Sequence, residues 1–446
     1  MLDPAFFDRF AMGFSLSIHI ILAVIGVTLP VIILVAEFLG IRYKDPHYRV
    51  LARRLSLAFL VLFAVGTASG TLVAANLFFL WPSFMALVSK VAIGPVYAEV
   101  FAFFTESIFL AIYLYSERIF RNRYSHVCIM VLIALGGVSS AAFITILNAF
   151  MNTPVGFNIP TYLSNSTVTG INPVAVFTSP SAGIEVAHVV STSYFAGSMI
   201  FLAYFAYMFL KARSKDQKSY YQKALKLIFA LAVISTFFAA ITGILSIESL
   251  YATQPEKYAA IELNLNSTAY APEIIGGVLV SNTVKYALDI PNLQSMLATG
   301  SASGVVPGLN QFPKSTWPPL IIHDMFDFMV LGAVLIGVLL ILVFLLYVLR
   351  KKVFESRNVA KLFIALGVLG VILLENGWLV DEFGRQPWII YNVMTVQQAA
   401  NQSPSIIPIA ILIVVAYIIM LPLTLIVLRR IFSKRSLAKE LKEQAS

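Results

Sequence analysis

Five side chains that ionise or ligate metals stand inside stretches too apolar to hold them without a reason. His19, Glu99, Glu106, His188 and Glu375 each interrupt a long hydrophobic run, and Met329 adds a thioether to another. An ionisable group in hydrocarbon is costly, so each is a functional candidate by default. Together they match iron chemistry. His with Met is an axial pair for low-spin haem iron and raises its potential. His and Glu in apolar surroundings suit an iron that keeps one position open for a small molecule. Glu106 lies seven residues after Glu99, nearly two helical turns. The two therefore point the same way, with Glu106 about 10 Å deeper. Taken singly, each has a plainer account. A lone membrane His bonds a carbonyl of a neighbouring helix. Met fills cores, and Glu99 and Glu375 near an interface snorkel into ion pairs. His47 and His126, at basic helix ends, read as solvated or headgroup-bonded, and His323 as the weakest ligand candidate.

The elements that must position these residues are membrane helices. The chain is 59% hydrophobic and 12% charged, against about 45–50% and about 25% for a soluble domain. A spanning helix needs about 20 apolar residues. Nine such spans are expected, near 12–40, 55–81, 97–116, 126–150, 184–210, 225–247, 323–349, 359–381 and 405–428. The first is too long for a signal-peptide core and lacks a basic cluster before it, so it is expected to stay. The fold class is thus an all-α integral membrane bundle. A single cysteine, Cys128, excludes an internal disulfide and a thiolate cluster, and reads as a small core residue. No period of 20–50 residues marks a solenoid.

Charge orients the bundle. Of the 31 Lys and Arg, 25 fall in the connections after spans 1, 3, 5 and 7 and in the tail 429–446, among them Arg118, Arg121 and Lys351. The other six, Arg9, Lys90, Lys257, Lys285, Lys314 and Arg385, fall in the alternate connections. The positive-inside rule puts the N-terminus outside and the C-terminus in the cytoplasm. The net charge of +9 is then a topology signal rather than a nucleic-acid footprint. Two outer segments are long: 151–183, without Lys or Arg, and 248–322, the largest piece outside the membrane. Long loops are usually functional or disordered. On these spans His19, Glu99, His188, Met329 and Glu375 all fall within about 10 Å of the outer surface. Scattered polar residues would not share one depth, whereas a haem site near the outer face would produce it.

Several strings are more specific. Glu375-Asn376-Gly377-Trp378 ends span 8 and Gly384-Arg385-Gln386-Pro387-Trp388 follows it. Asn148 to Pro154 (Asn-Ala-Phe-Met-Asn-Thr-Pro) ends span 4, and Gln254 to Glu262 (Gln-Pro-Glu-Lys-Tyr-Ala-Ala-Ile-Glu) opens the large outer loop. Together they resemble subunit I of the cytochrome bd-type quinol oxidases, from His19 to about Trp388. The resemblance implies two haems b and one haem d near the outer face. It implies His188 and Met329 as the axial pair of the low-spin haem b. His19, Glu99 and Glu375 are then ligands of the other two haems, with no assignment among them. Glu106 and Ser140 resemble the inner proton path, and Lys257 and Glu262 the quinol-binding residues of the outer loop. Arg385 and Trp378 lie where haem propionates and ring edges need a cation and an aromatic face. Lys257 and Glu262, five residues apart, would share no face of a helix but could flank one ring on an irregular loop.

Three features depart from the family pattern. The glutamates of span 3 are seven apart rather than eight, which removes a residue or turns Glu99 by about 100°. Asp327 replaces the usual basic residue two before Met329, and an acid there would lower the haem potential. Ser246 to Leu250 lacks the usual Gly/His/Gln pattern, pointing to an unusual quinone. The activity expected is electrogenic, non-pumping oxidation of ubiquinol or menaquinol with reduction of O2 to water. It is placed in a prokaryotic plasma membrane, with a second membrane subunit, subunit II, a small extra subunit, and no nucleic acid as partner. A proton-coupled secondary transporter also carries intramembrane Glu and His, but at the midplane and with inverted repeats, neither of which is visible. A haem-deficient structural paralogue would not need His19, His188, Met329 and Glu375.

Overall fold

The computed structural model describes residues 4–116, 123–280, 283–350 and 352–445. Arg118, Arg121 and Lys351 lie outside the described residues. Nine helices among those described are long and apolar enough to cross a membrane. They are span 1 (Pro4–Arg42), span 2 (Pro46–Leu80), span 3 (Ile93–Ser116), span 4 (Arg123–Asn152) and span 5 (Ala182–Lys211). Span 6 (Lys215–Thr253), span 7 (Ile321–Leu349), span 8 (Arg357–Gly384) and span 9 (Ile406–Ser433) complete the set. Their ends follow local chemistry. Pro46 at the first turn and Asp45, accepting from the His47 N–H, start span 2. Ser214 and Gln217 form a reciprocal capping box at span 6. Spans 1 and 2, and spans 5 and 6, are joined at the basic end by three residues each, 43–45 and 212–214.

Hydropathy underestimates several helices, because amphipathic turns continue past the apolar run. Span 1 begins at Pro4, not near 12, so counting from helix ends does not give His19 its depth. Span 6 continues to Thr253, into the segment read as outer loop. That loop is folded rather than irregular. It holds a loop helix (Pro255–Ile261), a second short helix (Leu293–Thr299) and three antiparallel strand pairs. The pairs are Thr268–Ala269 with Val305–Val306, Glu273–Ile275 with Leu288–Ile290, and Val278–Val280 with Thr283–Lys285. Cys128 is exposed on span 4, not in the core. His126 is buried and pairs with Glu37 at 2.5 Å, and His47 pairs with Asp216 at 2.9 Å, so neither is merely solvated.

The apolar interior splits in two. One core fills the basic end of the bundle, from Ile20, Leu110, Phe195 and Ile336 onward in spans 1, 3, 5 and 7 and up to Ile133 and Leu373 in spans 4 and 8. A second core caps the loop end, built from Ala5, Ala11, Leu80, Trp81, Phe84, Leu147, Phe150 and Ile406 with their neighbours. Span 5 packs on spans 4, 6 and 8, and span 1 on spans 2, 4, 5 and 9. Spans 3 and 4 approach most closely at Gly136, where an added Cβ would stand 3.0 Å from the Glu106 Cβ and 3.2 Å from its Cα. Gly136→Leu would overpack this crossing and cost about 1–3 kcal/mol. A lowered thermal unfolding midpoint of the purified complex checks it, with Gly13→Leu, which meets nothing within 4 Å, as the neutral control.

Candidate functional site

The two span histidines are held alike. The His19 Nδ1 lies 2.8 Å from the Ser69 hydroxyl of span 2, and that hydroxyl donates to the Gly66 carbonyl at 2.7 Å. The His188 Nδ1 lies 3.1 Å from the Thr242 hydroxyl of span 6, which donates to the Phe238 carbonyl at 2.9 Å. A hydroxyl has one proton. With that proton committed to a carbonyl, each hydroxyl accepts from Nδ1–H. This arrangement suits the Nδ1–H tautomer, the one whose Nε2 can bind a metal. Glycines face both rings. An added Cβ at Gly70 would come within 3.1 Å of the His19 Cε1, and one at Gly243 within 3.6 Å of the His188 Cε1.

The remaining candidates share one side of the basic-end core. Each lies on the loop side of the first basic-end core residue of its span: His19 before Ile20, Glu106 before Leu110, His188 before Phe195, Met329 before Ile336, Ser140 after Ile133 and Glu375 after Leu373. Glu375 bonds Ser17, two residues from His19, while its Oε1 is buried without a hydrogen-bond partner. Two residues on, an added Cβ at Gly377 would stand 3.1 Å from the Met329 sulfur. Ser140 donates to Glu99 at 2.9 Å, so this hydroxyl belongs to the Glu99 level. Glu106, 5% exposed, lies deeper against Gly136 and Gly137. Both glutamates thus face span 4, and the seven-residue spacing does not turn Glu99 away. Residues 184–192 around His188 are half-buried on every side of span 5. A buried orphan carboxylate oxygen, two free Nε2 atoms and glycine-lined walls fit flat haem groups with axial ligands.

Toward the loop end, a charged network joins four elements. Arg385, 2% exposed, donates to Asn148 at 3.1 Å, to Asn152 at 2.9 Å and to Glu382 at 2.8 Å. Asn148 also donates to Asp381 at 3.0 Å, and Asn152 to Glu185 at 3.0 Å. Lys257 of the loop helix reaches this network, with its Nζ 2.6 Å from Asp381 Oδ1 and 3.1 Å from its carbonyl. Arg385 is therefore placed as a buried cation, as its string suggests, but with its own carboxylates in contact. Trp378, half-buried, packs on the edge of the basic-end core.

The loop pair needs correction. Residues 255–261 are helical, so Lys257 and Glu262 diverge and do not flank one space. Lys257 turns to Asp381, and Glu262, 3% exposed, turns to Glu273. Neither is a solvated charge. Asp327 accepts from the Gly276 N–H at 2.5 Å and so pins the loop. His323 places its Nδ1 2.7 Å from the Ile261 carbonyl and its Nε2 3.0 Å from that of Gly276, which excludes it as a ligand in this arrangement. Glu37 and Glu185 were visible as acids inside spans 1 and 5. The same rule that marks Glu99 would have found them.

Comparison with known proteins agrees with this geometry. Residues 7–436 match the family model described as cytochrome bd terminal oxidase subunit I. A Bacillus subtilis (strain 168) protein, provisionally named cytochrome bd menaquinol oxidase subunit I, is 35% identical over 415 residues, 91% of each chain. A second protein of that strain, cytochrome bd ubiquinol oxidase subunit 1, is 26% identical over 400 residues, 86% of this chain and 83% of its own. The solved structure of the bd oxidase from Geobacillus thermodenitrificans superposes with a TM-score of 0.90 at 38% identity, covering 97% of this chain and 99% of that one.

The Lys257–Asp381 pair gives a test. Asp381→Asn leaves a buried ammonium without its carboxylate, at a cost of about 3–5 kcal/mol. The loop helix should loosen from span 8. Limited proteolysis of the intact complex should cut within 255–320 sooner than in the wild type, while Glu382→Gln, which leaves the Lys257 contact in place, should not have this effect.

Proposed function

Because the chain belongs to the cytochrome bd terminal oxidase subunit I family, we propose that its ligand layer holds two haems b and one haem d and that quinol is oxidised at its large loop. The chain is the haem-bearing subunit of a quinol oxidase that reduces oxygen to water in a prokaryotic plasma membrane, in a complex with a second membrane subunit. The observation that carries the site reading is the matched anchoring of the two span histidines: each Nδ1 is held by a hydroxyl of a neighbouring span, which leaves Nε2 for a metal.

His188 from span 5 and Met329 from span 7 would hold the low-spin haem b. His19, Glu99 and Glu375 would hold the other two haems. When bound, the haems supply one-electron transfer and oxygen reduction. Ser69 and Thr242 orient the imidazoles, and the two apolar cores exclude water from either side. Arg385 offers a buried positive charge at the loop-side edge, suited to haem propionates. Trp378 provides an aromatic wall on the same helix. Glu106 holds a proton on the basic side of the layer and passes it toward Glu99, whose carboxylate Ser140 fixes. At the loop, Glu262 accepts the proton of a quinol hydroxyl, while Lys257 positions the loop helix through Asp381. The N-terminus faces outside and the basic tail the cytoplasm, so protons released at the loop and protons taken up through Glu106 come from opposite sides. Subunit II covers the exposed outer face of span 3, where Tyr97, Phe101, Phe104 and Ile108 stand free, and a small extra subunit covers part of the remainder.

Spectra decide the haem assignment. A pyridine haemochrome of the purified complex should show haem b and haem d in a ratio of two to one. His188→Ala should remove most low-spin absorbance, and Met329→Leu should leave a high-spin iron or lose that haem. An unchanged low-spin spectrum in both variants refutes the axial pair. Glu106→Gln should slow turnover about a hundredfold with haem content near normal. Haem loss there would instead make Glu106 a ligand.

A further inference from the structure

Glu262 closes the loop helix, and Tyr258, four residues earlier, stands on the same side of it. Both are buried, at 3% and 0% exposure. Opposite them runs the strand Glu273–Ile275, whose Glu273 carboxyl lies near that of Glu262. Two carboxyls bond one another only with a proton between them. His323 fixes their approach, since its ring bridges the carbonyl of Ile261, beside Glu262, and that of Gly276, three residues beyond Glu273. The Tyr258 hydroxyl and the adjacent Gln294 amide, which is 1% exposed, are buried without a well-formed hydrogen bond. A buried hydroxyl and amide left unsatisfied beside an acid pair mark a place where a polar ligand group would be bonded.

The groups that face Glu262 are Tyr258 on its own helix, Glu273 from the strand, and His323 and Asp327 from span 7. Burial first, then the Glu273 and Asp327 charges, push the Glu262 carboxyl well above the usual carboxylate range. Burial and the Asp327 charge raise Glu273 as well. Glu273 is only half-buried and leads toward the aqueous surface of the loop.

We propose that Glu273 is a positioning and relay residue for quinol oxidation, sharing one proton with Glu262 so that the pair takes a proton at Glu262 and releases one from Glu273. The inference rests on the quinol-loop reading above. The quinol O–H bond breaks and its proton forms an O–H bond on Glu262. The proton already shared by the pair leaves from Glu273 to water. The accompanying electron goes to the acceptor that the quinol oxidase activity already supplies. The pair cycles between one proton and two, so a buried dianion never forms, the state that desolvation penalises most. A lone Glu262, enclosed at the helix end, would have no such exit.

Three variants of the intact oxidase complex test this: Glu273→Gln, Glu273→Asp and Glu262→Gln. Quinol oxidation is followed across about pH 5 to 9, together with haem spectra and oxygen uptake from an artificial donor that bypasses the loop. Glu273→Gln should lower quinol kcat about tenfold with spectra and bypass activity unchanged. It also removes a neighbouring charge, so Glu262 ionises at lower pH and the acid limb of the profile moves to lower pH. Glu273→Asp should keep most of the rate. A wild-type rate and profile in Glu273→Gln, with Glu262→Gln inactive toward quinol, overturns the relay and leaves the loop reading intact. A slowed Glu273→Gln with an unmoved pH profile also overturns it, because the role is then only structural. Wild-type quinol kinetics in Glu262→Gln would remove the loop reading itself.

Discussion

A hydrocarbon layer offers no hydrogen bonds, so every polar group placed in it must find its partner in the protein or in something the protein binds. That constraint organises the centre of this molecule. Each imidazole meets a hydroxyl on a neighbouring span, and each hydroxyl is already tied to a carbonyl of its own helix. The chain of commitments ends at the Nε2 lone pairs and at one Glu375 oxygen. Glycines at 70, 243 and 377 bring backbone close to His19, His188 and Met329, where a side chain would crowd them.

Charge is handled by the same logic nearer the loop end. A guanidinium, an ammonium and three carboxylates lie together, with two asparagines filling the remaining valences. A buried ion pair seldom adds net stability over an apolar pair, but removing one partner is expensive. The network therefore fixes geometry more than it adds stability. It holds the loop helix, the ends of spans 4 and 8 and the start of span 5 in one arrangement, within one turn of His188.

Much of this was legible in the sequence for physical reasons. Nine apolar runs of sufficient length leave few alternatives, and charge alternation orders them. Ionisable residues within them announce themselves, which is how His19, His188, Glu99, Glu106 and Glu375 were found. What could not be read is who faces whom across distant segments. Nothing local to Lys257 names Asp381, 124 residues on, and nothing near His19 names Ser69. The loop helix was missed because seven residues give too short a pattern, and its existence overturns the shared face for Lys257 and Glu262. Cys128 was misplaced because an apolar run shows burial in lipid and burial in protein alike. Nothing near Asp327 in the sequence names Gly276, from whose N–H it accepts.

The loop is pinned near its root, by Lys257 on Asp381 and by His323 and Asp327 on Gly276. The strands Val278–Val280 and Thr283–Lys285 project beyond those pins. Ordering a closed segment costs entropy that grows only with the logarithm of its length. Residues inserted beyond Gly276 would therefore burden the fold little, while residues inserted before it would move Glu262 and Glu273 apart. Descendants of such a chain are free to lengthen or trim the segment beyond Gly276, and with it the face shown to antibodies, proteases or neighbouring complexes, while Glu262 and Glu273 keep their places.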